Sequence, residues 1–194
     1  MQFLFNTEEK PQAYAEGNGK YPDAPQRCPQ KDCKVPLKMK KHGYYKRYVL
    51  ITDFSGIIRV RRYKCSVCWR TVSMLPSFCI PRLQYGAELI ILALLTAAEY
   101  SVKYVCAKWA GLVQSLTRRH IIFYRKRIIR NRSYIQLALN LMSPGSIELK
   151  QITGDSDWTR EFLKVATEIK PPRFNSKYHA LTGESFMSLH SNVA

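Results

Sequence analysis

The sequence lacks an apolar run long enough to cross a membrane as a helix. Its longest such run, from Leu89 to Ala98, is about half of the roughly 20 residues that a spanning helix requires. The N-terminal residues also do not have the pattern of a secretory signal. We therefore expect a protein with no membrane partner, located in a reducing cytoplasm where its six cysteines stay thiols or bind metal.

Acidic residues are scarce in the middle of the chain. The net charge is +17, with −2 on residues 1–26, +12 on residues 27–82, +7 on residues 83–133 and zero on residues 134–194. Positive charge concentrated in this way is typical of a protein that binds a polyanion. A solvated basic face without any partner is one alternative, and the neutral C-terminal third argues against it. An anionic membrane surface is a lesser alternative.

Recognisable catalytic motifs are absent as well. None of the four histidines lies in a HExxH arrangement, and there is no glycine-rich phosphate loop. A two-metal nuclease site could be imagined from the C-terminal acids Glu148, Asp155, Asp157 and Glu161. Such a site needs a substantial mixed sheet, which the residues after the basic segment are too few to build. The sequence therefore predicts a protein that is not an enzyme, whether transposase or nuclease.

What the sequence does contain is four cysteines in two close pairs, Cys28-x4-Cys33 and Cys65-x2-Cys68. Two knuckles that turn their sulfurs inward, joined by a strand-rich spacer, are what a structural zinc ribbon requires. We predict one structural Zn²⁺ held by these four thiolates, with chance pairing or two disulfides as alternatives. Cys79 and Cys106 lie in apolar surroundings and are expected to be small buried residues.

The spacer between the cysteine pairs predicts a β-hairpin with strands over residues 44–52 and 57–64. In the second strand Ile58 and Val60 alternate with arginines, so one face packs and the other is basic. We expect this region to contact phosphates. The residues assigned to that role are Lys46, Arg47, Arg59, Arg61, Arg62 and Arg70.

Three helices are predicted after an extended arm over residues 69–84. The first covers residues 85–98, the second runs from an N-cap at Ser101 to Trp109, and the third starts near Ser115 after a turn at Ala110-Gly111. This order is that of a helix-turn-helix. The third helix is expected to bury Ile121, Ile122, Ile128 and Ile129. Its DNA contacts are assigned to Arg118, Arg119, Arg125 and Lys126, with an ordinary basic helix face as the alternative.

The expected fold class is α+β, a small zinc-ribbon β-hairpin domain followed by an all-α helix-turn-helix-type domain. The segments are a loosely packed polar lead-in (1–26), the zinc ribbon (27–82), the helical domain (83–142), and a C-terminal helix and tail (143–194). The C-terminal helix is expected over residues 158–169, with Asp157 as its N-cap and Trp158 and Phe162 docked on the helical body. The tail beyond it is expected to be partly ordered at best.

Several stretches of the ribbon resemble a known family. They are CPQKDC, HGYYKR, VRRYKCSVCWRTVSMLPSF and IPRLQY. They resemble the transposase-like zinc-ribbon domain of bacterial and mobile-element proteins, and the short zinc-finger plus helix-turn-helix proteins of insertion sequences. The ending TGESFM resembles a terminal motif of the same group. The resemblance is good over residues 27–85, and it implies Zn²⁺ at the four paired cysteines and DNA as the partner.

These observations predict a zinc-dependent protein that binds duplex DNA, associated with the nucleoid and with a transposable element. Two alternatives stay open. The first is an RNA-binding or ribonucleoprotein-associated ribbon, in which Tyr44, Tyr45 and Tyr48 stack on unpaired bases. The second is a subunit of a larger assembly whose basic surface meets an acidic protein. The sequence does not determine the oligomeric state.

Overall fold

A computed structural model describes residues 1–30, 32–33, 38–110, 116–142 and 149–188. These residues form a four-stranded sheet and seven α-helices, so the expected α+β class is confirmed. The strands are β1 (Gln2–Phe5), β2 (Lys40–Leu50), β3 (Ser55–Lys64) and β4 (Thr71–Pro76). The helices are α1 (Pro11–Glu16), α2 (Ala87–Glu99), α3 (Val102–Trp109), α4 (Arg118–Arg130), α5 (Arg132–Met142), α6 (Asp155–Glu168) and α7 (Pro171–Thr182). None of the helices in the described ranges is both long and apolar enough to span a membrane.

The sheet has the strand order β1-β4-β3-β2. The predicted hairpin strands are present as β2 and β3, which pair antiparallel with Lys46 opposite Arg59. Ile58 and Val60 are fully buried, as the alternation along β3 predicted. This register fixes which side chains of the hairpin point away from the core.

The stretch predicted as an extended arm is a strand of the sheet. β4 pairs antiparallel with β3 on one side and parallel with β1 on the other. Its Val72 and Leu75 are fully buried on opposite faces, because the strand is covered on both faces and does not alternate between buried and exposed residues. Pro76 is the last residue of β4, a position at which proline interrupts no further pairing.

The N-terminal lead-in was expected to be extended or loosely packed, and the structure shows that part of it is folded. Residues 2–5 form β1, and α1 packs against β3. Tyr14 of α1 is completely buried, and its hydroxyl bonds to the Thr7 hydroxyl and the Lys20 carbonyl. A single large aromatic side chain thus anchors a segment whose overall composition is polar.

The first two predicted helices correspond to α2 and α3. The Ser101 side chain accepts a hydrogen bond from the Tyr104 N–H, which confirms the predicted N-cap. Eight residues, 110–117, separate α3 from α4. This connection is about twice as long as the three- or four-residue turn of a helix-turn-helix. The predicted turn residue Gly111 and helix start Ser115 lie outside the described residues. The helix bounds therefore do not reproduce the short turn that the sequence suggested.

The predicted third helix corresponds to two helices in the structure. α4 ends at Arg130 and α5 begins at Arg132. Between them Asn131 is buried, and its side chain is bonded to the C-terminal segment rather than to water. In α4, Ile121 and Ile128 are buried as predicted, whereas Ile122 is 39% exposed. The prediction of a continuous helix failed because its break depends on a contact with residues more than fifty positions later.

The C-terminal region is packed where it is described. α6 begins at Asp155 with Gly154 as its N-cap, so the predicted cap Asp157 is instead in the first turn. Trp158 and Phe162 are buried in the helical core as expected. The tail is more ordered than expected, since α7 is followed by a turn in which Phe186 is completely buried. The predicted helix-breaking residues 143–145 lie outside the described ranges.

Candidate metal centre and basic surfaces

Each cysteine pair lies on a tight backbone turn. In the first knuckle the Cys33 N–H donates to the Gln30 carbonyl at 3.0 Å, and in the second the Cys65 N–H donates to the Arg70 carbonyl at 3.0 Å. Cys28 and Cys65 are buried in a small cluster with Tyr63 and Val72 of the sheet. The sheet thereby fixes one knuckle at the end of β3 and positions the other against it.

The four sulfurs converge on one point. All four Sγ atoms lie within 4.8 Å of one another, with Cys28 to Cys68 at 3.6 Å and Cys33 to Cys65 at 3.7 Å. These distances are too long for disulfide bonds, and the six cysteines are all free. For a metal–sulfur bond of about 2.3 Å, the sulfurs of a regular tetrahedron are about 3.8 Å apart. The spacing fits four thiolates around one metal ion, and the cluster could hold one.

The protonation of the cluster is uneven. Backbone N–H groups of Cys68 and Val67 donate to the Cys65 sulfur and lower the pKa of this thiol to about 6, while burial raises the pKa of Cys28 to about 12. Cys65 therefore supplies a thiolate more readily than Cys28. Binding of a metal must release the proton of the Cys28 thiol, so affinity should fall as the pH is lowered.

A charged contact ties the two knuckles together. The Arg70 guanidinium donates to the Asp32 carboxylate at 2.7 Å and to the Gln30 side chain at 3.3 Å. This ion pair is exposed, so its contribution to stability is small. It also means that Arg70, one of the predicted phosphate contacts, already has a carboxylate partner.

The structure reveals an exposed aromatic side chain that the sequence analysis did not single out. Trp69 directly follows Cys68, the last cysteine of the cluster, is 67% exposed and has a φ of 61°. The Lys64 ammonium lies 4.7 Å from the centre of its ring. Its position next to the Cys65-x2-Cys68 knuckle was the available signal, because a residue leaving such a turn projects outward.

We define the hairpin outer face as Tyr44, Lys46, Tyr48, Ile57, Arg59 and Arg61. These residues lie directly opposite one another in three β2–β3 pairs, so their side chains share one face. Lys46 and Arg59 are exposed, and the Arg61 guanidinium lies 4.6 Å from the centre of the Tyr44 ring. In the described chain none of the three cations is within ion-pairing distance of a carboxylate. The outer face is therefore basic and uncompensated.

Two predicted phosphate contacts on the hairpin do not lie on this face. Arg47 is half-buried, and its Nη2 donates to the carbonyls of Ile80 at 2.6 Å and Leu83 at 2.5 Å. Arg62 is also half-buried, and its Nε has no hydrogen-bond partner among the described residues. Tyr45, proposed to stack on bases, packs against the sheet core. Arg47 thus holds the loop after β4 in place, a role that its charge alone did not suggest.

The cations predicted on the third helix are exposed on α4. Arg118 and Arg119 are its first two residues, and Arg125 and Lys126 lie two turns later. None of the four pairs with a carboxylate in the described ranges, although Arg125 donates to the Ser156 hydroxyl at 3.2 Å. α4 therefore carries a second basic surface, separate in the chain from the hairpin outer face.

The acidic residues considered for a nuclease site are paired with cations. Asp155 contacts Arg132 at 3.2 Å, Asp157 contacts Arg160 at 3.3 Å, and Glu161 contacts Lys164 at 2.8 Å. Glu148 lies outside the described residues. Among the described side chains, the cysteine cluster is the group whose geometry suits a metal.

The comparison with known proteins assigns no function. Residues 28–109, less than half of the chain, match a family described as a domain of unknown function (DUF6431). The matched segment contains all four clustered cysteines, the hairpin, β4, α2 and α3, and it ends before α4. No curated protein and no solved structure matches the chain. The unit shared with that family therefore includes the candidate metal centre but not the basic helix.

Proposed function

We propose that the protein is a non-enzymatic nucleic-acid-binding protein that carries one structural Zn²⁺ and has duplex DNA as its main partner. The observation that carries the proposal is the hairpin outer face, where Lys46, Arg59 and Arg61 lie together without an acidic partner in the described chain. Exposed cations without intramolecular partners, on a chain of net charge +17, favour a polyanionic ligand.

Zinc is the metal that best suits the cluster. Four soft thiolates in tetrahedral spacing are typical of structural zinc, whereas harder cations prefer oxygen ligands. Cys28, Cys33, Cys65 and Cys68 would hold it, and four protein ligands leave no position for a substrate or a reactive water. The zinc would fold the knuckles rather than take part in a reaction.

An association with a mobile element is the most specific part of the proposal. It is supported by the resemblance of the ribbon stretches to transposase-like zinc-ribbon proteins. A protein with two basic surfaces and no recognisable catalytic motif suits binding at the ends of such an element, next to a separate enzyme. A footprint on element ends, compared with random duplex, would test this.

Neutralising the hairpin outer face should weaken binding through lost phosphate contacts. Affinity for DNA falls with salt, and the slope of log affinity against log salt concentration measures the number of phosphate contacts. We expect the double variant Lys46→Gln/Arg59→Gln to make this slope smaller in magnitude by about 1.8, because each phosphate contact contributes about 0.9. Fluorescence anisotropy with a labelled random duplex at several salt concentrations measures this slope.

Arg47→Gln is the matched control, because it removes the same charge from the neighbouring position of the same strand. Its guanidinium bonds inward to two carbonyls, so its loss should lower the free energy of unfolding by about 1.5–3 kcal/mol. The salt slope of the folded Arg47→Gln variant should stay within error of the wild type. A loss of slope of about 0.9 in Arg47→Gln, half that of the double variant, would mean that only net charge matters, and a wild type that binds no duplex would refute the DNA proposal.

A single-stranded partner is the second candidate, favoured by the exposed tyrosines of the outer face. Tyr44 is 48% exposed and Tyr48 is 43% exposed, beside Lys46 and Arg59. Stacking on an aromatic ring contributes about 1–3 kcal/mol per base. Tyr48→Ala should then reduce binding of single-stranded RNA by about fivefold or more while sparing duplex DNA. Competition between the two nucleic acids for the wild-type protein decides which partner is preferred.

A further inference from the structure

A cleft lies between the loop that follows β4 and the start of α4. It has a volume of about 450 Å³, and its lining includes Arg82, Gln84, Arg119, His120, Phe123 and Tyr124. A cleft of this size accommodates a small ligand of roughly nucleotide dimensions and excludes a duplex. We call it the α4 cleft.

The loop side of the cleft is held rigidly. Arg47 donates to the carbonyls of Ile80 and Leu83, on either side of Arg82, and the Leu50 N–H donates to the Gln84 carbonyl at 2.9 Å. Arg82 itself has a φ of 65°, a conformation that a residue with a side chain rarely adopts. Contacts from β2 thus fix a strained loop so that an exposed arginine borders the cleft.

The helix side of the cleft presents a fixed donor. The Thr117 N–H donates to Nδ1 of His120 at 3.1 Å, within the capping box that starts α4. Because Nδ1 accepts this bond, it carries no proton, and the ring proton is on Nε2. His120 is therefore available to the cleft as a hydrogen-bond donor.

The electrostatics of the cleft favour an anion. Among the described residues that line it none is acidic, and two are arginines. Arg118 and Arg119 occupy the first two positions of α4, where no acidic residue is present in the first turn. Cations at this end of a helix are unfavourable because the helix dipole is positive there. Of the two, Arg119 lines the cleft, and an anionic ligand bound there would compensate its unfavourable position.

The cleft also offers an aromatic surface. Phe123 is 40% exposed, and the Arg127 guanidinium lies 4.6 Å from the centre of its ring. An exposed aromatic ring beside cations is the arrangement on which unpaired bases stack. The donors and the ring together match the two parts of a nucleotide, its phosphate and its base.

We propose that the α4 cleft binds one unpaired nucleotide, with its phosphate at Arg82, Arg119 and His120 and its base on Phe123. The proposal rests on the proposed nucleic-acid function and assigns it a second, local site. A strand end and an internal phosphodiester both present anionic phosphate oxygens to the three donors, and the second test distinguishes them.

The first test uses adenosine 5′-monophosphate as the probe, with binding measured by calorimetry on the full chain. We expect Arg82→Gln and Arg119→Gln each to weaken binding about tenfold, because each removes a charge-assisted hydrogen bond. Phe123→Leu should weaken it about fivefold or more through lost stacking. Arg118→Gln is the matched control, because Arg118 is the exposed neighbour of Arg119 and is not among the residues of the lining. It should change affinity less than twofold.

Thermal unfolding separates a binding role from a structural one. Arg119→Gln should leave the melting temperature unchanged or raise it slightly, because it removes a cation from the N-terminus of α4. Reduced affinity together with undiminished stability supports the site. Equal effects of Arg118→Gln and Arg119→Gln on affinity, or no binding of the mononucleotide by the wild type, overturns it.

The second test identifies the source of the phosphate and separates this proposal from the proposed function. A short thymidine oligonucleotide with a 5′-phosphate is compared with one lacking it, each displacing the mononucleotide. Stronger displacement by the phosphorylated form assigns the cleft to a strand end, and equal displacement assigns it to an internal nucleotide. Lys46→Gln/Arg59→Gln should reduce duplex binding without changing the affinity for the mononucleotide. If duplex binding fails but the cleft variants behave as expected, only the duplex proposal is refuted.

Discussion

Replacing Cys65 with Ser is expected to abolish metal binding and to unfold the cysteine end of the sheet, while the helical core stays folded. The reason is that a tetrahedral site without one of its four thiolates has one negative charge fewer and lacks its fourth ligand. Structural zinc contributes about 10–16 kcal/mol of apparent binding free energy in small zinc domains. By comparison, the Arg70–Asp32 ion pair that joins the two knuckles is exposed and contributes little.

The structure limits how far the unfolding should spread. The cysteines share a small apolar cluster with Tyr63 and Val72 at one end of the sheet. A second cluster around Tyr14 and Ile58 holds β2 and β3 from the other side, and the helices have their own core. We therefore expect amide hydrogen exchange to accelerate around residues 28–33, 39 and 63–72, and to remain slow in α2 and α6.

Cys106→Ser is the control for this experiment, because Cys106 is a free, half-buried cysteine of α3 outside the cluster. It should retain one zinc per chain and normal exchange protection. Zinc content is measured by elemental analysis of the purified protein. Cys65→Ser protein that still holds a full equivalent of zinc would show that the four sulfurs are not the ligands.

The cysteine cluster could be predicted because its signal is local. Each cysteine pair has the spacing of a zinc knuckle, and the strand pattern between the pairs predicts a hairpin. The hairpin alone is enough to bring Cys28 and Cys33 close to Cys65 and Cys68. The N-cap at Ser101 was predictable for the same reason, since a cap is defined by its immediate neighbours. Metal identity and nucleic-acid binding remain predictions.

The features that sequence reasoning missed depend on contacts between distant residues. β1 pairs in parallel with β4 about seventy residues later, and nothing in its own four residues identifies that partner. The sequence does not distinguish Arg47 from the exposed arginines. Its inward orientation depends on the loop after β4, whose carbonyls accept its hydrogen bonds. The same loop creates the α4 cleft, because it brings Arg82 next to His120 and Phe123.

The break between α4 and α5 is the clearest example and leads to the second large effect. The buried Asn131 side chain donates to the carbonyls of Phe186 and Ser188, each at 2.7 Å. The Arg127 guanidinium donates to the carbonyl of Met187 at 2.7 Å. The TGESFM ending, noted in the sequence only as a resemblance, and the Ser188 that follows it thus supply the carbonyls that accept hydrogen bonds from the α4–α5 junction.

We expect Phe186→Ala to lower the free energy of unfolding by about 3–5 kcal/mol. Phe186 is completely buried, with its ring centre 5.3 Å from that of Phe174 and 6.3 Å from that of Tyr178. Truncating the ring leaves a cavity between α7 and the core and loosens the segment that holds Asn131. Urea unfolding followed by circular dichroism measures the change.

Leu181→Ala is the matched control, because Leu181 lies five residues away but is 48% exposed. It should change stability by less than about 0.5 kcal/mol, as exposed sites usually do. Asn131→Ala should be destabilising by about 1–3 kcal/mol, since it leaves buried carbonyls without a donor. If Phe186→Ala unfolds at the same urea concentration as Leu181→Ala, the C-terminal segment is not part of the folded core.

Duplex affinity should be retained in the folded Phe186→Ala protein, because residues 134–194 carry no net charge and the hairpin outer face lies elsewhere in the chain.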